Sequence, residues 1–362
     1  MDVTRLFRAH FKKIQPYIAV ESPNQLTDQS GIAYGDIIKL NANENPYGPS
    51  PAVQEALALY NGYQIYPDSD QRQCRAAMQG YTGLDESNII VGAGADELID
   101  LLLRATLEIG DAVIDCPPTF GMYAFSTQVN AGRLLSIPRY NDFTLDLDAI
   151  RNAIDVDTKI IFLASPNNPS GDIVREEDVV ALLNENILVV IDETYFEFSG
   201  FSVSHLINKH SNLVVLRSMS KWAGLAGLRI GYALAAPELI RLLMEIKQPY
   251  NINAAAEVAL LASLGDLDYL KNNIASIISE RDKLFSQLCT IDGITPRPSY
   301  GNFVLCEISG GLAAKIYNGL ANRGIFVRYF DTPSLKDSIR ISVGKPEHTD
   351  ILVGALKEIM TG

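Results

Sequence analysis

The chain has 362 residues, of which 47% are hydrophobic and 20% are charged, and its formal net charge at pH 7 is −13. This length and composition are typical of a globular protein with one large and one small domain, and the acidity disfavours binding to nucleic-acid phosphates. No apolar run approaches the roughly 18–20 residues of a membrane helix, so we expect a cytoplasmic protein without a membrane or nucleic-acid partner.

The cysteines and histidines carry no metal-binding or disulfide pattern. The four cysteines are widely scattered and form no C-x-x-C pair, and the four histidines show no ligand spacing such as H-E-x-x-H. We therefore expect buried free thiols and no metal site.

Taken in chain order, the sequence predicts an N-terminal arm, a large domain and a small domain. Residues 1–40 are interpreted as the arm, packing with the small domain. Between residues 41 and 255, β-branched runs alternate with amphipathic runs, which is typical of a mainly parallel α/β sheet. The predicted strands are 88–92, 112–116, 133–138, 159–164, 187–192, 213–218 and 230–235, with helices at 97–106, 176–185 and 237–246. Residues 254–289 suggest one long helix, and strands and helices at 302–308, 312–322, 339–343 and 349–360 predict a small α/β domain over 256–362.

The first predicted strand of this series ends in glycines and leads into a helix. Gly92 and Gly94 precede that helix, and its free N–H groups could bind an anion. A dinucleotide-binding fingerprint would need a third glycine where Glu97 stands, although Asp115 lies at about the spacing of a ribose-binding acid. The segment alone therefore leaves open a nucleotide-dependent dehydrogenase and a purely structural turn.

A more informative segment follows the strand 213–218 and contains Lys221. Ser218, Ser220 and Arg229 share its loop, and hydroxyls and a guanidinium are good phosphate ligands. A lysine among them could form a Schiff base, which needs a neutral amine and therefore a lowered pKa. Arg229 would help to lower that pKa. The alternative interpretation is a solvated surface lysine.

Two further loops suit the same chemistry. Asp192 ends a predicted strand, and an acid beside a pyridine nitrogen keeps the ring protonated and a better electron sink; it could also be a helix cap. The loop 165–171 (SPNNPSG) has strong turn chemistry, and its amide could hydrogen-bond a ring oxygen. All these loops follow strands, at the edge where open α/β sheets bind ligands.

Together these motifs resemble the fold-type I pyridoxal-phosphate (PLP) aminotransferases. The resemblance rests on SPNNPSG at 165–171, D-x-x-Y at 192–195, S-x-S-K at 218–221 and Arg229, in the family's order and approximate spacing. Within that family the chain is similar to the histidinol-phosphate aminotransferases at LNANENPYG (40–48), GADE (94–97), PTFGMY (118–123) and RISVG (340–344). The resemblance covers nearly the whole chain.

The resemblance implies PLP as the cofactor and a role for each matching residue. Lys221 would bind PLP and then move a proton, and Asp192 would pair with the ring nitrogen. Asn168 and Tyr195 would hydrogen-bond the phenolic oxygen, and Phe120 would stack on the ring, where many relatives carry tyrosine. The residues that would hold the phosphate are Ala95, Asp96, Ser218, Ser220 and Arg229.

The same resemblance implies a substrate and an assembly. The reaction would convert L-histidinol phosphate and 2-oxoglutarate into imidazole-acetol phosphate and glutamate. The residues that would contact substrate are Tyr17, Asn43, Arg328 and Arg340. Tyr66 would reach the cofactor phosphate of a partner subunit, so we expect a homodimer with shared active sites.

Four alternatives compete with this interpretation. An aromatic or broad-range aminotransferase would use Arg340 to bind an α-carboxylate instead of a phosphate. A PLP-dependent decarboxylase of a phosphorylated amino acid would release carbon dioxide. A dehydrogenase would lack the third glycine and have no use for Lys221. A non-catalytic sensor on this scaffold would not need the complete catalytic set.

Overall fold

The computed structural model describes residues 2–361. Within this range the chain forms twelve β-strands and thirteen α-helices. The strands are β1 (Ile38–Leu40), β2 (Ile89–Gly92), β3 (Ala112–Asp115), β4 (Arg133–Ser136), β5 (Thr158–Ala164), β6 (Leu188–Asp192), β7 (Leu213–Ser218), β8 (Gly231–Ala235), β9 (Ile294–Pro296), β10 (Phe303–Ile308), β11 (Ile325–Tyr329) and β12 (Ser338–Ser342). The helices are α1 (Pro23–Ser30), α2 (Pro51–Leu59), α3 (Arg72–Thr82), α4 (Ala95–Thr106), α5 (Met122–Val129), α6 (Leu147–Ala153), α7 (Glu176–Leu183), α8 (Phe196–Ser199), α9 (Pro237–Ile246), α10 (Ala254–Gly265), α11 (Leu267–Leu288), α12 (Ala313–Ala321) and α13 (Pro346–Thr361).

The larger sheet has seven strands in the order β2-β8-β7-β6-β5-β3-β4. Strand β8 runs antiparallel to both neighbours, and the other pairs are parallel. The predicted α/β fold with a mainly parallel sheet is therefore confirmed, and each predicted strand of this sheet is present within two residues of its predicted bounds.

Both faces of this sheet are buried. On β6 and β7, Val189 and Val215 belong to one hydrophobic cluster, and the next residues along, Val190 and Leu216, belong to another. This alternation follows from the two-residue period of a strand. Helices α7 and α10 complete the first cluster, and α4 and α9 complete the second. Burial on both sides explains why these strands have nearly continuous apolar sequences.

The carboxyl ends of the parallel strands lie along one edge of the sheet. The segments that follow β2, β5, β6 and β7 therefore meet there, although 135 positions separate residue 94 from residue 229. This edge is where open α/β sheets bind ligands. The topology thus brings together the four motifs on which the sequence interpretation depends.

The smaller sheet has five strands in the order β1-β11-β12-β10-β9 and packs on its own hydrophobic cluster. Strand β1 pairs in parallel with β11, so the last residues of the region interpreted as an arm form an edge strand of this sheet. From β1 the chain continues directly toward the edge of the larger sheet. The predicted domain division at residue 255 stays a prediction.

The single long helix predicted over residues 254–289 is wrong. Helices α10 and α11 meet at Asp266, whose φ of −128° and ψ of 46° are not helical. The Asp266 carboxylate accepts a hydrogen bond from the Ser50 hydroxyl, and an aspartate bonded in this way competes with the helical backbone. Gly265, a poor helix former, ends the first helix.

Among residues 2–361, no helix is long and apolar enough to cross a membrane. All four cysteines are free, but Cys289 is exposed, so the expectation that every thiol is buried is wrong at that position.

Candidate active site

A cavity of about 470 Å³ opens at the carboxyl edge of the larger sheet. Almost every residue predicted for the site lines it, and only Tyr66 and Arg328 do not. The predicted residues in its wall are Tyr17, Asn43, Ala95, Asp96, Phe120, Asn168, Asp192, Tyr195, Ser218, Ser220, Lys221, Arg229 and Arg340. The wall is built from both sheets, since Arg340 belongs to β12 and Asp192 and Ser218 belong to β6 and β7.

Lys221 presents its amine to this cavity. Its Nζ donates a hydrogen bond to the Ala42 carbonyl at 2.9 Å. Burial, together with the positive charges of Arg340 and Arg229, lowers the pKa of Lys221 to about 8, against the opposing effect of Glu44. The predicted contribution of Arg229 is present, but Arg340 contributes more. About a tenth of the amine is therefore neutral and nucleophilic at pH 7, compared with far less than a hundredth of an ordinary lysine.

Asp192, at the end of β6, is buried and held by three hydrogen bonds. Its Oδ1 accepts from the Thr194 backbone N–H at 3.0 Å and from the Thr194 hydroxyl at 2.6 Å, and its Oδ2 accepts from the Tyr123 hydroxyl at 2.7 Å. Burial raises the pKa of Asp192, while the hydrogen bonds from Thr194 and Tyr123 oppose that rise. The carboxylate is thus fixed in direction and can pair with a cationic nitrogen in the cavity.

Tyr123 is a functional candidate that sequence reasoning did not single out. It is fully buried, and its ring stacks on Phe162 with 5.0 Å between centroids. Its ring also meets that of Phe120 edge-on, with 5.6 Å between centroids. The only sequence signal was its place at the end of the segment 118–123, which did not reveal the contact with Asp192.

Asn43 and Arg340 make three hydrogen bonds within the cavity wall. The Tyr195 hydroxyl accepts a hydrogen bond from Asn43 Nδ2 at 2.9 Å. Arg340 donates from Nη1 to Asn168 Oδ1 at 2.5 Å and from Nη2 to the Asn41 carbonyl at 2.7 Å. Its Nε is buried with no hydrogen-bond partner in the described part of the chain. Burial lowers the pKa of Arg340 to about 10, so it remains cationic at neutral pH.

The other end of the cavity is an anion-binding cradle, which is formed by the N-terminus of α4 together with Ser218, Ser220 and Arg229. Across the described residues no side chain caps α4, so the N–H groups of its first turn, at Ala95 and Asp96, are available at the positive end of the helix dipole. Arg229 lies opposite, pairing with Asp96 at 3.0 Å and approaching the Ser220 hydroxyl at 3.5 Å. Gly94 has a φ of 85°, and a side chain there would collide with the Arg229 guanidinium. The missing side chain thus keeps the cradle open.

Three predicted residues lie at or beyond the rim. Tyr17 lines the cavity with its ring 6.3 Å from that of Phe120. Arg328 is opposite Arg340 in the β11–β12 register, but its Nη2 donates to the Ile18 carbonyl at 3.3 Å, outside the cavity wall. Tyr66 is 76% exposed and stacks on Tyr250, 4.4 Å away. Its predicted contact with a partner subunit stays a prediction.

Comparison with known proteins shows full-length similarity. The family model for aminotransferase class I and II matches residues 35–356. The chain is 47% identical to a histidinol-phosphate aminotransferase of Roseiflexus castenholzii, and the alignment covers 99% of both chains. It is 45% identical to the chloroplastic histidinol-phosphate aminotransferase of Nicotiana tabacum, and that alignment covers 97% of this chain and 86% of the relative. The crystal structure of the histidinol-phosphate aminotransferase from Sinorhizobium meliloti, in complex with pyridoxal-5′-phosphate, matches with a TM-score of 0.90 at 28% identity and covers 98% of this chain and 97% of that one. The similarity therefore includes both sheets and the cavity between them.

Proposed function

The chain belongs to the class I and II aminotransferases and, within them, to the histidinol-phosphate aminotransferases, and we propose that it transfers the amino group of L-histidinol phosphate to 2-oxoglutarate. The products are imidazole-acetol phosphate and glutamate. The enzyme depends on PLP. The observation that carries the substrate proposal is the buried Arg340, a cation that lines the same cavity as Lys221.

The residues of the cavity fit PLP at both ends. The cradle formed by the α4 N-terminus, Ser218, Ser220 and Arg229 suits a phosphate, and Gly94 leaves the space open for it. Asp192 is buried and oriented by Thr194 and Tyr123, as pairing with a ring nitrogen requires. When bound, PLP supplies an electron sink for the charge that develops at the substrate's Cα.

Lys221 performs two tasks in this proposal. Its lowered pKa of about 8 makes the neutral amine available as a nucleophile for a carbonyl cofactor. With PLP bound, the same amine would take and return the proton at the substrate's Cα. Its hydrogen bond to the Ala42 carbonyl holds the chain of the lysine at the cavity wall. Proton transfer by a positioned group of this kind contributes roughly 10²–10⁴-fold to the rate.

The smaller sheet supplies the charge that selects the substrate. Histidinol phosphate has no α-carboxylate, so its phosphate provides the anchoring charge. Arg340 lines the cavity and is cationic at neutral pH, and Arg328 stands opposite it on the neighbouring strand. Each Nη atom of Arg340 makes one hydrogen bond to the protein and has a second N–H, which could donate a charge-assisted hydrogen bond to a phosphate oxygen. Tyr17 and Asn43 complete this part of the wall.

A substrate panel tests the proposal. Specificity constants with 2-oxoglutarate as acceptor are measured for L-histidinol phosphate, phenylalanine and tyrosine. Because a hydrogen bond to a charged group is worth about 1.5–3 kcal/mol, we expect histidinol phosphate to be favoured by at least about tenfold. A preference for phenylalanine would replace this proposal with an aromatic aminotransferase. Release of carbon dioxide from a phosphorylated amino acid would replace it with a decarboxylase.

The homodimer with shared active sites and the cytoplasmic location are also part of this proposal. Tyr63, Ile65 and Tyr66 are large, exposed and close in sequence, and Tyr66 stacks on the half-exposed Tyr250. Exposed apolar groups that cluster in this way are typical of a protein–protein interface. Cell fractionation would test the location, and complementation between two inactive subunit variants would test the shared site.

A further inference from the structure

Asn43 holds an unusual position between the two sheets. It follows β1 by three residues, is 1% exposed and lines the cavity. Its φ of 54° lies in the left-handed region, which is costly for a residue with a side chain. Strained residues of this kind persist only where surrounding contacts hold them, and they cluster at functional sites. The contacts of Asn43 should therefore show which function this backbone conformation supports.

Four hydrogen bonds fix both the backbone and the amide of Asn43. Its backbone N–H donates to Ser342 Oγ at 2.8 Å, and Ser342 Oγ donates to Asn43 Oδ1 at 2.8 Å. Asn302 Nδ2 donates to the Asn43 carbonyl at 2.9 Å. Because the Ser342 hydroxyl already accepts a backbone N–H, its single proton goes to Oδ1, and the amide NH₂ faces Tyr195.

This arrangement determines where the Tyr195 proton can go. The Tyr195 oxygen accepts from Asn43, so its own proton is free to be donated in another direction, toward the cavity that the residue lines. The ring is held by an edge contact with Phe303, 5.1 Å between centroids. Ser342 and Arg340 are two residues apart on β12, so their side chains lie on the same face. A hydrogen-bonded bridge thus joins the arginine-bearing strand to Tyr195.

We propose that Asn43 is a positioning residue that acts through Tyr195, directing the tyrosine hydroxyl to donate to the phenolic oxygen of PLP. This inference rests on the proposed function and gives Asn43 a role besides the substrate contact expected from the sequence, which stays a prediction. A donor to the phenolic oxygen stabilises its anionic form and weakens it as an acceptor for the protonated nitrogen of the Lys221–cofactor linkage. The bridge therefore lowers the pKa of that linkage.

The test variant leaves in place every charged or titratable group that acts on Lys221 or Tyr195. Those that act on Lys221 are Arg340, Arg229, Lys39 and Glu44, and those that act on Tyr195 are Arg340, Asp192 and Tyr17. Replacing Asn43 with glycine alters none of these charges. Glycine also adopts a positive φ without strain, so the backbone path is kept. A change in the linkage pKa would then report on the hydrogen bond.

The experiment titrates the absorbance of the lysine-bound cofactor with pH in the holoenzyme, with PLP affinity and melting temperature measured alongside. In Asn43→Gly we expect the linkage pKa to rise by about one pH unit, the size of a hydrogen bond to a charged oxygen. Tyr195→Phe should give a similar rise, and the double variant should rise no further. Ser342→Ala, which removes no group near the cofactor, should give a smaller rise in the same direction.

Two results would overturn the inference. The first is a folded Asn43→Gly enzyme that titrates like wild type. The second is a shift that persists when Asn43→Gly is added to Tyr195→Phe, because Asn43 would then act without the tyrosine. If Asn43→Gly does not fold, the Ser342→Ala variant is used instead. A linkage pKa equal to that of the wild type in Ser342→Ala would then contradict a role for the hydrogen-bonded bridge. Failure of the proposed function would differ, since wild type would then show no lysine-bound cofactor or no transamination.

Discussion

Asp192 and Lys221 show how burial prepares single residues for this chemistry. Burial raises the pKa of the carboxyl and lowers that of the amine, so both groups become easier to neutralise. Hydrogen bonds from Thr194 and Tyr123 act against the first shift and favour the charged Asp192. The result is an amine that loses its proton more easily and an oriented anion in one cavity, from residue types that are usually both charged and exposed.

The first prediction concerns the charge of Asp192. Asp192→Asn keeps the shape of the side chain but removes the charge that pairs with the ring nitrogen. Opposite charges about 4 Å apart at an effective dielectric of about 20 interact by about 4 kcal/mol, so we expect kcat to fall by at least about 100-fold, with PLP still bound. Steady-state kinetics and a PLP titration measure both quantities.

Asp115→Asn is the matched control for this variant. Asp115 also ends a strand of the same sheet, is buried and accepts a hydrogen bond from Ser136 at 2.7 Å, but lies outside the cavity wall. It should leave kcat nearly unchanged. Wild-type turnover in Asp192→Asn would mean that Asp192 only caps the segment that follows it.

At the scale of elements, the site depends on where strands end. The apolar runs that became β5, β6 and β7 could be predicted, because burial on both faces leaves a continuous hydrophobic signal. The loops after them could be placed at one edge, because parallel strands have their carboxyl ends on the same side of the sheet. The contact of Asn43 with Ser342 could not be predicted, since the two residues are 299 positions apart and no periodic pattern joins them. The hydrogen bond between Tyr123 and Asp192 could not be predicted either, because these residues are 69 positions apart.

The second prediction tests the cradle at the start of α4. Gly94→Ala places a side chain at a φ of 85° and forces the Arg229 guanidinium away from the cradle. The strain and the lost charged contact should raise the dissociation constant for PLP by at least about tenfold. Gly227→Ala is the control, because a side chain at Gly227 would meet open space in the same loop as Arg229. Equal affinities for the two variants would show that the cradle does not hold the phosphate.

The third prediction separates the two arginines on β11 and β12. Arg340→Gln should reduce the specificity constants for both histidinol phosphate and phenylalanine, since Arg340 faces the cavity where either anion binds. Arg328→Gln should lower only the value for histidinol phosphate, by about 10- to 100-fold, because a dianionic phosphate can recruit the second guanidinium. Arg323→Gln, on the exposed surface after α12, serves as the control. Equal losses on both substrates in Arg328→Gln would show that Arg328 does not recognise the phosphate.

At the scale of the whole molecule, the cavity needs both sheets and, in our proposal, a second subunit. The larger sheet supplies Lys221, Asp192 and the cradle, while the smaller sheet supplies Arg340. The segment 41–43 joins them: its residues contact Arg340, Lys221 and Tyr195 in turn. The sequence indicated the residues of the wall, but only the fold shows that one short segment touches three of them. The proposal that a partner subunit contributes to the site is based on Tyr66, which is exposed in the single subunit.

The fourth prediction tests that contribution by complementation. Tyr66→Phe removes the hydroxyl proposed to reach the partner's cofactor phosphate, and Lys221→Ala removes the amine. In a mixed dimer one site would keep both groups, so a mixture of the two should regain PLP affinity and activity at up to about one quarter of the sites after random exchange of subunits. Subunit exchange is verified by native mass spectrometry. Verified exchange without recovery would place the whole site within one subunit.

The attachment of PLP to Lys221 is the central claim, and borohydride reduction followed by peptide mapping tests it most directly. Lys247 provides an internal comparison, because burial also lowers its pKa but it lies outside the cavity wall. We predict that reduction fixes the cofactor to the peptide containing Lys221, that Lys247 stays unmodified, and that Lys221→Ala takes up no label. A label on Lys247 or any other lysine, or no label in the wild-type enzyme, would contradict the account.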